Sequence, residues 1–263
     1  VDQPLEVVGL DGVPTGSQDG TARGRPIWMK HILIPTGGRA EFIVTTPQAS
    51  VKRAAFETRA IDTGPDGDSD TARALALLTV TGKGSDAGAD LPSMPPARPA
   101  PSAQLFGGLE GAQVTASRTL YFSSFSKAPR GRLHHDHATK FFITVDGQRP
   151  RLFRTDNPPA IVTTQGAVEE WTVENRTGEV HEFHMHQIHF KLMKQNGVVL
   201  RPSQRQYLDT VQVPYWTGTG PYPSVTMLMD FRGHVTGDFV YHCHILEHED
   251  GGMMATIRVL PRP

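Results

Sequence analysis

The sequence predicts an all-β chain built from β-sandwiches. Three observations support this class: short apolar or β-branched runs, turns rich in Gly, Pro, Asp and Asn between them, and a turn spacing typical of sandwiches. The runs lie at residues 6–10, 31–37, 40–47, 75–82, 119–125, 140–147, 160–166, 169–175, 190–200, 225–231, 237–245 and 255–261. With 263 residues, 38% of them hydrophobic, the chain can bury a core and form one large domain or two ordinary ones.

The runs fall into two groups, separated by residues 83–103. This segment is rich in glycine, proline, alanine and serine, a composition that predicts an interdomain linker. Residues 1–82 hold only about four runs, fewer than the seven or so of a sandwich, so we expect them to be part of a domain. Residues 104–263 hold the other runs and predict a complete sandwich.

Composition argues against several kinds of partner. The net charge is −1 and the basic residues are dispersed, which argues against nucleic acid and against a membrane surface. No run approaches the roughly eighteen apolar residues of a membrane span. Val1 does not open a signal peptide, so we expect that a leader has been removed or that the true start lies upstream. The single cysteine, Cys243, cannot form an intramolecular disulfide, so its thiol is free or metal-bound.

The histidines are concentrated in two short clusters. Seven of the twelve lie in HEFHMHQIHF (181–190) and HCHILEHEDGGMM (242–254), and the second cluster contains the only cysteine. A lone cysteine is ordinarily a small buried apolar side chain. Histidines on both sides of Cys243 favour a metal site instead.

Strand alternation separates the side chains of the second cluster. On a strand, His242 and His244 share one face, whereas Cys243 points to the opposite face. The chain then leaves the strand, and His248 and Met253 follow five and ten residues after Cys243, where they can close around its sulfur. One strand therefore serves two metal centres.

The first cluster repeats this separation. His184 and His186 share a face, and His181, at an odd spacing from His184, projects to the opposite side. We therefore expect His181 beside Cys243, in a set of two histidines, one cysteine and a weak axial methionine that is typical of blue copper sites. The paired histidines of both clusters are expected to form the second centre.

The clusters resemble the third and fourth copper motifs of the multicopper oxidases, the family of laccases, cuprous oxidases and bilirubin oxidases. HEFHMHQ aligns without gaps with the family pattern His-Pro-x-His-x-His-Gly, with Glu182 at the usual proline and Gln187 at the usual glycine, and His-Cys-His-x3-His-x4-Met is complete. The resemblance implies cupredoxin-like Greek-key β-sandwiches. Residues 1–82 would be the C-terminal part of the middle domain, 83–103 the linker and 104–263 the last domain.

The resemblance also implies copper as the cofactor, with a type 1 copper bound entirely within this chain. Its ligands would be His181, Cys243, His248 and the axial Met253. Cys243 would also act in catalysis, because its thiolate would pass electrons to the flanking histidines.

A type 2 copper and a binuclear type 3 pair are implied by the same resemblance, shared with a missing N-terminal part. His184 would bind type 2 copper, and the type 3 ligands in this chain would be His186, His242 and His244. Glu249 matches an acidic position that delivers protons during dioxygen reduction in bacterial members, so Glu249 is the second residue expected to act in catalysis.

The first two copper motifs of the family, a His-x-His followed by Gly and a second His-x-His, are absent from this sequence. The resemblance implies eight histidines around the type 2 and type 3 coppers, and only four are here. We therefore expect a companion polypeptide that carries the first cupredoxin domain and the two His-x-His motifs, as in a nicked or split three-domain oxidase.

The implied activity is one-electron oxidation of a small reducing substrate, by default phenols and aromatic amines, coupled to reduction of dioxygen to water. Cuprous or ferrous ion oxidation is the alternative, and it calls for acidic or methionine side chains near His181 and His248. An electron-transfer cupredoxin has no use for histidines on both sides of Cys243. In a copper nitrite reductase the cysteine is not followed directly by a second histidine. A zinc site is disfavoured because a thiolate with an axial thioether favours copper. The resemblance further implies a periplasmic or secreted protein.

The remaining histidines are expected to be structural. His135 and His137 have a metal-like spacing in LHHDH, but no neighbouring cysteine or carboxylate set supports them, so we expect a polar surface or interdomain turn. His31, His189 and His234 are expected to be ordinary structural histidines.

Overall fold

The computed structural model describes residues 2–17, 20, 24–45, 50–79, 106–126 and 139–262. The predicted linker at 83–103 and the predicted surface histidines His135 and His137 lie outside these residues. Within the described residues the all-β class is confirmed. No helix in this part of the chain is both long and apolar enough to cross a membrane.

The described secondary structure consists of strands, one short α-helix and two 3-10 turns. The strands are β1 Leu5–Leu10, β2 Val13–Pro14, β3 Ile27–Met29, β4 Ala40–Ile43, β5 Arg53–Thr58, β6 Arg73–Thr79, β7 Ala116–Phe125, β8 Lys140–Val145, β9 Ile161–Thr164, β10 Val168–Asn175, β11 His181–Met185, β12 Phe190–Gln195, β13 Val198–Val199, β14 Tyr207–Leu208, β15 Thr210–Val213, β16 Ser224–Asp230, β17 Gly237–Cys243 and β18 Met254–Leu260. The helix α1 is Leu246–Asp250, and the 3-10 turns are Leu109–Gly111 and Pro202–Gln204.

Two large sheets form a sandwich from the part of the chain after residue 106. One sheet has the strand order β13-β12-β16-β10-β7-β8, with β14 added beside β12, and the other has the order β15-β11-β17-β18-β9. Consecutive strands β9, β10, β11 and β12 alternate between the two sheets. Crossing connections of this kind are typical of Greek-key sandwiches.

The core lies between these two sheets. Its largest side chains, Trp171, Phe183 and Tyr241, are fully buried and come from strands of both sheets. Cys243, at the end of β17, belongs to the same apolar cluster. Cys243 was predicted to point to the face opposite His242 and His244. The alternation Phe239, Tyr241, Cys243 along the strand turns this face toward the core.

The first 79 residues form two smaller sheets. Strands β2, β1 and β3 lie in this order, β4 pairs with β1, and β5 and β6 form a separate hairpin. Every residue of β6 is exposed to solvent. These sheets bury far fewer apolar side chains than the sandwich does.

The predicted strand at residues 31–37 was wrong, because this segment is a loop. Pro35 cannot donate a ladder hydrogen bond, and Gly37 has a φ of 82°, outside the range of a strand. Five strands were not predicted: β2, β3, β5, β14 and β15. Four of them have at most four residues, and the six residues of β5 have no simple alternation of apolar side chains.

Asp11 ties the first sheet to the sandwich. Its buried carboxylate accepts hydrogen bonds from the backbone N–H groups of Arg39, Asp209 and Thr210. The Arg39 guanidinium forms a two-pronged ion pair with the Asp209 carboxylate, at 2.8 and 2.6 Å. The loop that contains Gly37 is thereby held against the outer face of the five-stranded sheet.

Glu169 places a buried carboxylate beside the sandwich core. It accepts two hydrogen bonds from Arg118, at 2.7 and 2.9 Å, and one each from the Thr163 hydroxyl and the Trp171 indole N–H. Burial alone raises the pKa of Glu169, but these hydrogen bonds outweigh it, and the net pKa is lowered. The network therefore depends on an ionised carboxylate.

Candidate metal centres

Pairing of β11 with β17 brings the two histidine clusters side by side. Phe183 pairs with Cys243 and His184 pairs with His242, in antiparallel register. Because Phe183 and Cys243 face the core, His184 and His242 face outward. One centre therefore lies inside the sandwich and the other on the outer face of the five-stranded sheet.

The inner centre is formed by His181, Cys243 and His248, all buried. The Cys243 Sγ atom lies 3.6 Å from Nδ1 of His181 and 3.5 Å from Nδ1 of His248, and the two nitrogens are 3.0 Å apart. The centre of this triangle is about 2 Å from each atom, close to metal–nitrogen distances in proteins. The arrangement can hold one metal ion.

The chain returns to Cys243 through α1. The His248 N–H donates to the carbonyl of Ile245, the Met253 N–H donates to the carbonyl of His248, and the Cys243 N–H donates to the carbonyl of Met253. Gly252, with a φ of 105°, makes the tight turn that this return requires. Met253 is fully buried in the core cluster that contains Cys243, and its backbone carbonyl accepts the Cys243 N–H.

Both inner histidines are held by groups on their other ring nitrogen. His181 Nε2 lies 2.8 Å from the Thr177 hydroxyl, and His248 Nε2 lies 3.4 Å from the Glu179 carboxylate. Phe141 stacks on the His248 ring, with centroids 4.2 Å apart. Such contacts fix the ring orientation and leave both Nδ1 atoms directed at the sulfur.

The donor set of the inner centre fits copper. Burial lowers the pKa of His181 well below its ordinary value, so its imidazole is neutral and able to bind a cation. Burial raises the pKa of the Cys243 thiol to about 12, and a coordinated cation is what would ionise it. Neutral imidazoles with a thiolate and a thioether are the ligands that blue copper sites use.

The outer centre begins with His184, His186 and His242, whose ring nitrogens lie close enough to share a metal ion. Nε2 of His186 lies 3.1 Å from Nε2 of His242. The His184 ring lies 5.0 Å from the His186 ring and 5.2 Å from the His242 ring, centroid to centroid. Three imidazole edges therefore converge on the outer face of the sheet.

His244 lies at the edge of this outer centre. Its ring is 5.2 Å from the rings of both His184 and His242. Its Nδ1 is buried and has no hydrogen-bond partner among the residues that the structure describes. Gly37 packs on the ring so closely that a Cβ at this position would come within 2.5 Å of Cδ2. The loop at residues 31–37 thus covers His244, and only glycine fits.

The outer histidines are also oriented through their second nitrogens. His184 Nδ1 lies 2.9 Å from both the Asp209 carbonyl and the Thr210 hydroxyl. His242 Nδ1 lies 2.9 Å from the Cys243 carbonyl and 3.3 Å from the Glu249 carboxylate. Burial lowers the pKa of His184 to about 4, so this imidazole is neutral at physiological pH. Neutral rings with Nε2 directed toward one another suit metal binding.

Eight of the nine predicted site residues have side chains at these two centres. The inner centre brings together His181, Cys243 and His248, and the outer one brings together His184, His186, His242, His244 and Glu249. Met253 is joined to Cys243 through its backbone carbonyl. His189, which was expected to be an ordinary structural histidine, lies 2.9 Å from the Asp11 carbonyl and takes part in the contact between sheets.

Sequence reasoning missed the residues that orient the ligands. Thr177 and Glu179 precede His181 by four and two residues. This nearness in sequence could have predicted their contacts with the inner histidines only if the direction of the chain before β11 had been known. Asp209 and Thr210 are distant in sequence from both clusters. They reach His184 because β15 pairs with β11.

Comparisons with known proteins find similar sequences and a similar fold. A family profile described as multicopper oxidase matches residues 124–263. A laccase of Haloferax volcanii is 34% identical over 102 residues, which cover 38% of this chain and 16% of the relative. A multicopper oxidase of Staphylococcus aureus is 34% identical over 121 residues, covering 44% of this chain and 24% of the relative.

A solved structure from Campylobacter jejuni, described as a multicopper oxidase and a metallo-oxidase, superposes with a TM-score of 0.67 at 19% identity. The superposition covers 99% of this chain and 50% of that protein. At this identity the likeness shows a shared fold. The chain spans about half the length of the solved structure.

Proposed function

The chain belongs to the multicopper oxidase family, and from this membership we propose that it is the C-terminal part of an oxidase that reduces dioxygen to water. The reducing substrate would be a phenol or an aromatic amine, oxidised one electron at a time. The observation that carries the proposal is Cys243, which faces the inner centre while His242 and His244, bonded to it in sequence, face the outer one.

The bonded link between the centres supports multi-electron chemistry. Consecutive Cα atoms are only about 3.8 Å apart, so the path from the Cys243 sulfur to either flanking imidazole is short and covalent. A site used for electron transfer alone has no need of a second set of converging imidazoles. This argues against an electron-transfer cupredoxin.

Each ligand has a proposed role. When bound, the coppers supply one-electron oxidation of substrate and four-electron reduction of dioxygen. The type 1 ligands would be His181, Cys243, His248 and Met253. His184 would be the type 2 ligand in this chain, and the type 3 ligands would be His186, His242 and His244.

The proposal requires further histidines from outside this chain. Four imidazoles at the outer centre are half of the set expected for a trinuclear site, and we propose that a companion polypeptide with the first cupredoxin domain supplies the rest. Support comes from large apolar side chains exposed in the first 79 residues: Trp28, Leu33, Ile34, Ile43, Val44, Phe56, Leu75, Leu77 and Leu78. Mass spectrometry of the purified enzyme that finds no companion polypeptide with two His-x-His motifs, in addition to this chain, contradicts this.

Oxygen consumption tests the proposed reaction. With a phenol as substrate, we expect four one-electron oxidations for each dioxygen consumed and no hydrogen peroxide. Release of peroxide in proportion to oxygen uptake would show that the outer centre does not carry out the four-electron reduction.

Glu179 favours a second candidate function, oxidation of cuprous or ferrous ions. Its carboxylate lies 3.4 Å from Nε2 of His248, at the inner centre. A negative charge beside this imidazole attracts a cationic substrate and does not help a neutral phenol.

Glu179→Gln separates these two substrates. We expect kcat/KM for ferrous ion to fall about tenfold, because the variant loses one attractive charge next to His248, and kcat/KM for a neutral phenol to stay within about twofold. Asp250→Asn, an equal charge change at an exposed position of α1, is the control. An equal loss for both substrates at Glu179 would indicate that the carboxylate only orients His248.

Glu249 is proposed to deliver protons during dioxygen reduction. Its carboxylate lies 3.3 Å from Nδ1 of His242, and its side chain is 28% exposed, so it touches both the outer centre and solvent. A carboxyl in this position can take a proton from water and hold it next to the imidazole.

Glu249→Gln is expected to slow turnover at saturating oxygen on the order of 10²-fold, because an amide cannot donate a proton as a carboxyl group does. Anaerobic reduction of the blue centre by substrate is expected to keep its wild-type rate in stopped-flow absorbance. Glu247→Gln, on the exposed side of the same helix, is the matched control. Unchanged turnover in the Glu249 variant would remove this role.

A further inference from the structure

The Cys243 sulfur accepts a hydrogen bond from the backbone of the neighbouring strand. The N–H group of Glu182 donates to Sγ over 3.4 Å. The carbonyl of Glu182 accepts a hydrogen bond from the His244 N–H. In an antiparallel pair, the N–H and C=O groups of one residue point to the same neighbouring strand. Both backbone groups of Glu182 therefore point to β17, and its N–H group donates to the Cys243 sulfur.

The donor at residue 182 distinguishes this chain from the usual family pattern. That pattern is His-Pro-x-His-x-His, and Glu182 stands at the proline. Proline has no N–H group and cannot donate. An oxidase with the usual residue therefore lacks this hydrogen bond to the thiolate.

We propose that the Glu182 N–H group raises the reduction potential of the copper held by Cys243. A hydrogen bond to the sulfur withdraws electron density from the thiolate and weakens its donation to the oxidised metal more than to the reduced metal. The reduced state is then favoured. The inference rests on the proposed function, since it assumes a type 1 copper at the inner centre.

The side chain of Glu182 acts separately from its backbone. Because Phe183 faces the core, the Glu182 side chain lies on the outer face, where Oε1 accepts a hydrogen bond from Gln212. Its Oε2 is buried and has no hydrogen-bond partner within the described residues. A substitution of Glu182 by a residue without a carboxyl group removes the side-chain contact. Only a substitution by proline also removes the N–H donor.

Two variants isolate the backbone donor. Glu182→Ala and Glu182→Pro both delete the carboxyl group, but only the proline variant deletes the N–H group. The copper-loaded enzyme that contains this chain would be titrated with redox mediators while its blue absorbance is followed. We expect the equilibrium constant for reduction to be about tenfold smaller in the proline variant than in the alanine variant, about 59 mV for a one-electron couple.

The outcomes distinguish this inference from the proposed function. Equal potentials in two blue variants overturn the inference and leave the proposed function intact. A wild-type enzyme with no blue centre overturns both.

If the proline variant does not hold copper, a second measurement decides. In cadmium-substituted enzyme labelled with 15N-glutamate, a coupling between 113Cd and the Glu182 amide proton is expected across the hydrogen bond to sulfur. Absence of that coupling in a folded, cadmium-loaded protein overturns the inference.

Discussion

Cys243→Ser is expected to abolish blue absorbance and substrate oxidation together. In the proposed assignment the thiolate is both a ligand of the inner centre and the bonded link to His242 and His244, so its loss would remove both functions at once. The hydroxyl of serine is a hard, weakly acidic donor and does not replace a thiolate for copper. Visible spectra and oxygen uptake of the purified variant provide the measurement.

Cys243→Ala controls for the buried hydroxyl that serine introduces. Both variants are expected to retain the circular dichroism of the wild type, because residue 243 lies at the end of β17 and its backbone bond to Met253 does not need the sulfur. A serine variant that keeps its blue colour would contradict the assignment of Cys243 as the copper thiolate.

Glu169→Gln is expected to lower the free energy of unfolding at pH 7 by about 3 kcal/mol. The carboxylate is 2% exposed and accepts four hydrogen bonds, two of them from Arg118. Glutamine replaces one carboxylate oxygen by an NH2 donor and leaves the Arg118 guanidinium without an anionic partner. Breaking a buried ion pair in this way typically costs about 3–5 kcal/mol. Arg118 is partly exposed, so we expect the lower end of that range.

The loss should depend on pH in a defined direction. Because the folded pKa of Glu169 is lowered, its contribution is fully present above the ordinary glutamate pKa of about 4.3 and is lost as pH falls through the folded value. Urea unfolding of wild type and variant should therefore differ most above about pH 5 and converge in stronger acid.

Glu170→Gln is the matched control for this prediction. Glu170 is the next residue on β10, and its ion pair with Lys194, at 3.3 Å, is about one third exposed on both sides. Partly exposed pairs contribute about 0–1 kcal/mol. An equal decrease in the free energy of unfolding for the two substitutions would show that the buried Glu169 network stabilises the fold no more than the partly exposed Glu170 pair does.

Strand alternation was sufficient to divide the histidines between two centres. His181 and Cys243 were expected on one face and His184 with His242 on the other, and the register of β11 with β17 brings them together in that way. The period of two is a property of any strand, so it could be read without knowing the fold.

Contacts between distant segments could not be predicted in the same way. The loop that contains Gly37 has apolar residues typical of a strand, although Pro35 and Gly37 disfavour one. Its contact with His244 is a tertiary contact that the local sequence does not encode. Glu179 reaches His248 because α1 turns back over the sheet, and Asp11 reaches Asp209 across almost two hundred residues. Such contacts depend on tertiary structure, which short patterns do not specify.

We propose that Cys243 holds a blue copper and is bonded to the ligands of a second copper cluster. Copper analysis of the purified enzyme, combined with visible and EPR spectra, is the decisive measurement. We expect one blue copper for each chain together with further copper at the outer histidines, and loss of the outer copper alone in His184→Ala. A colourless enzyme that contains zinc, or a blue enzyme with no copper beyond the type 1 site, would contradict it.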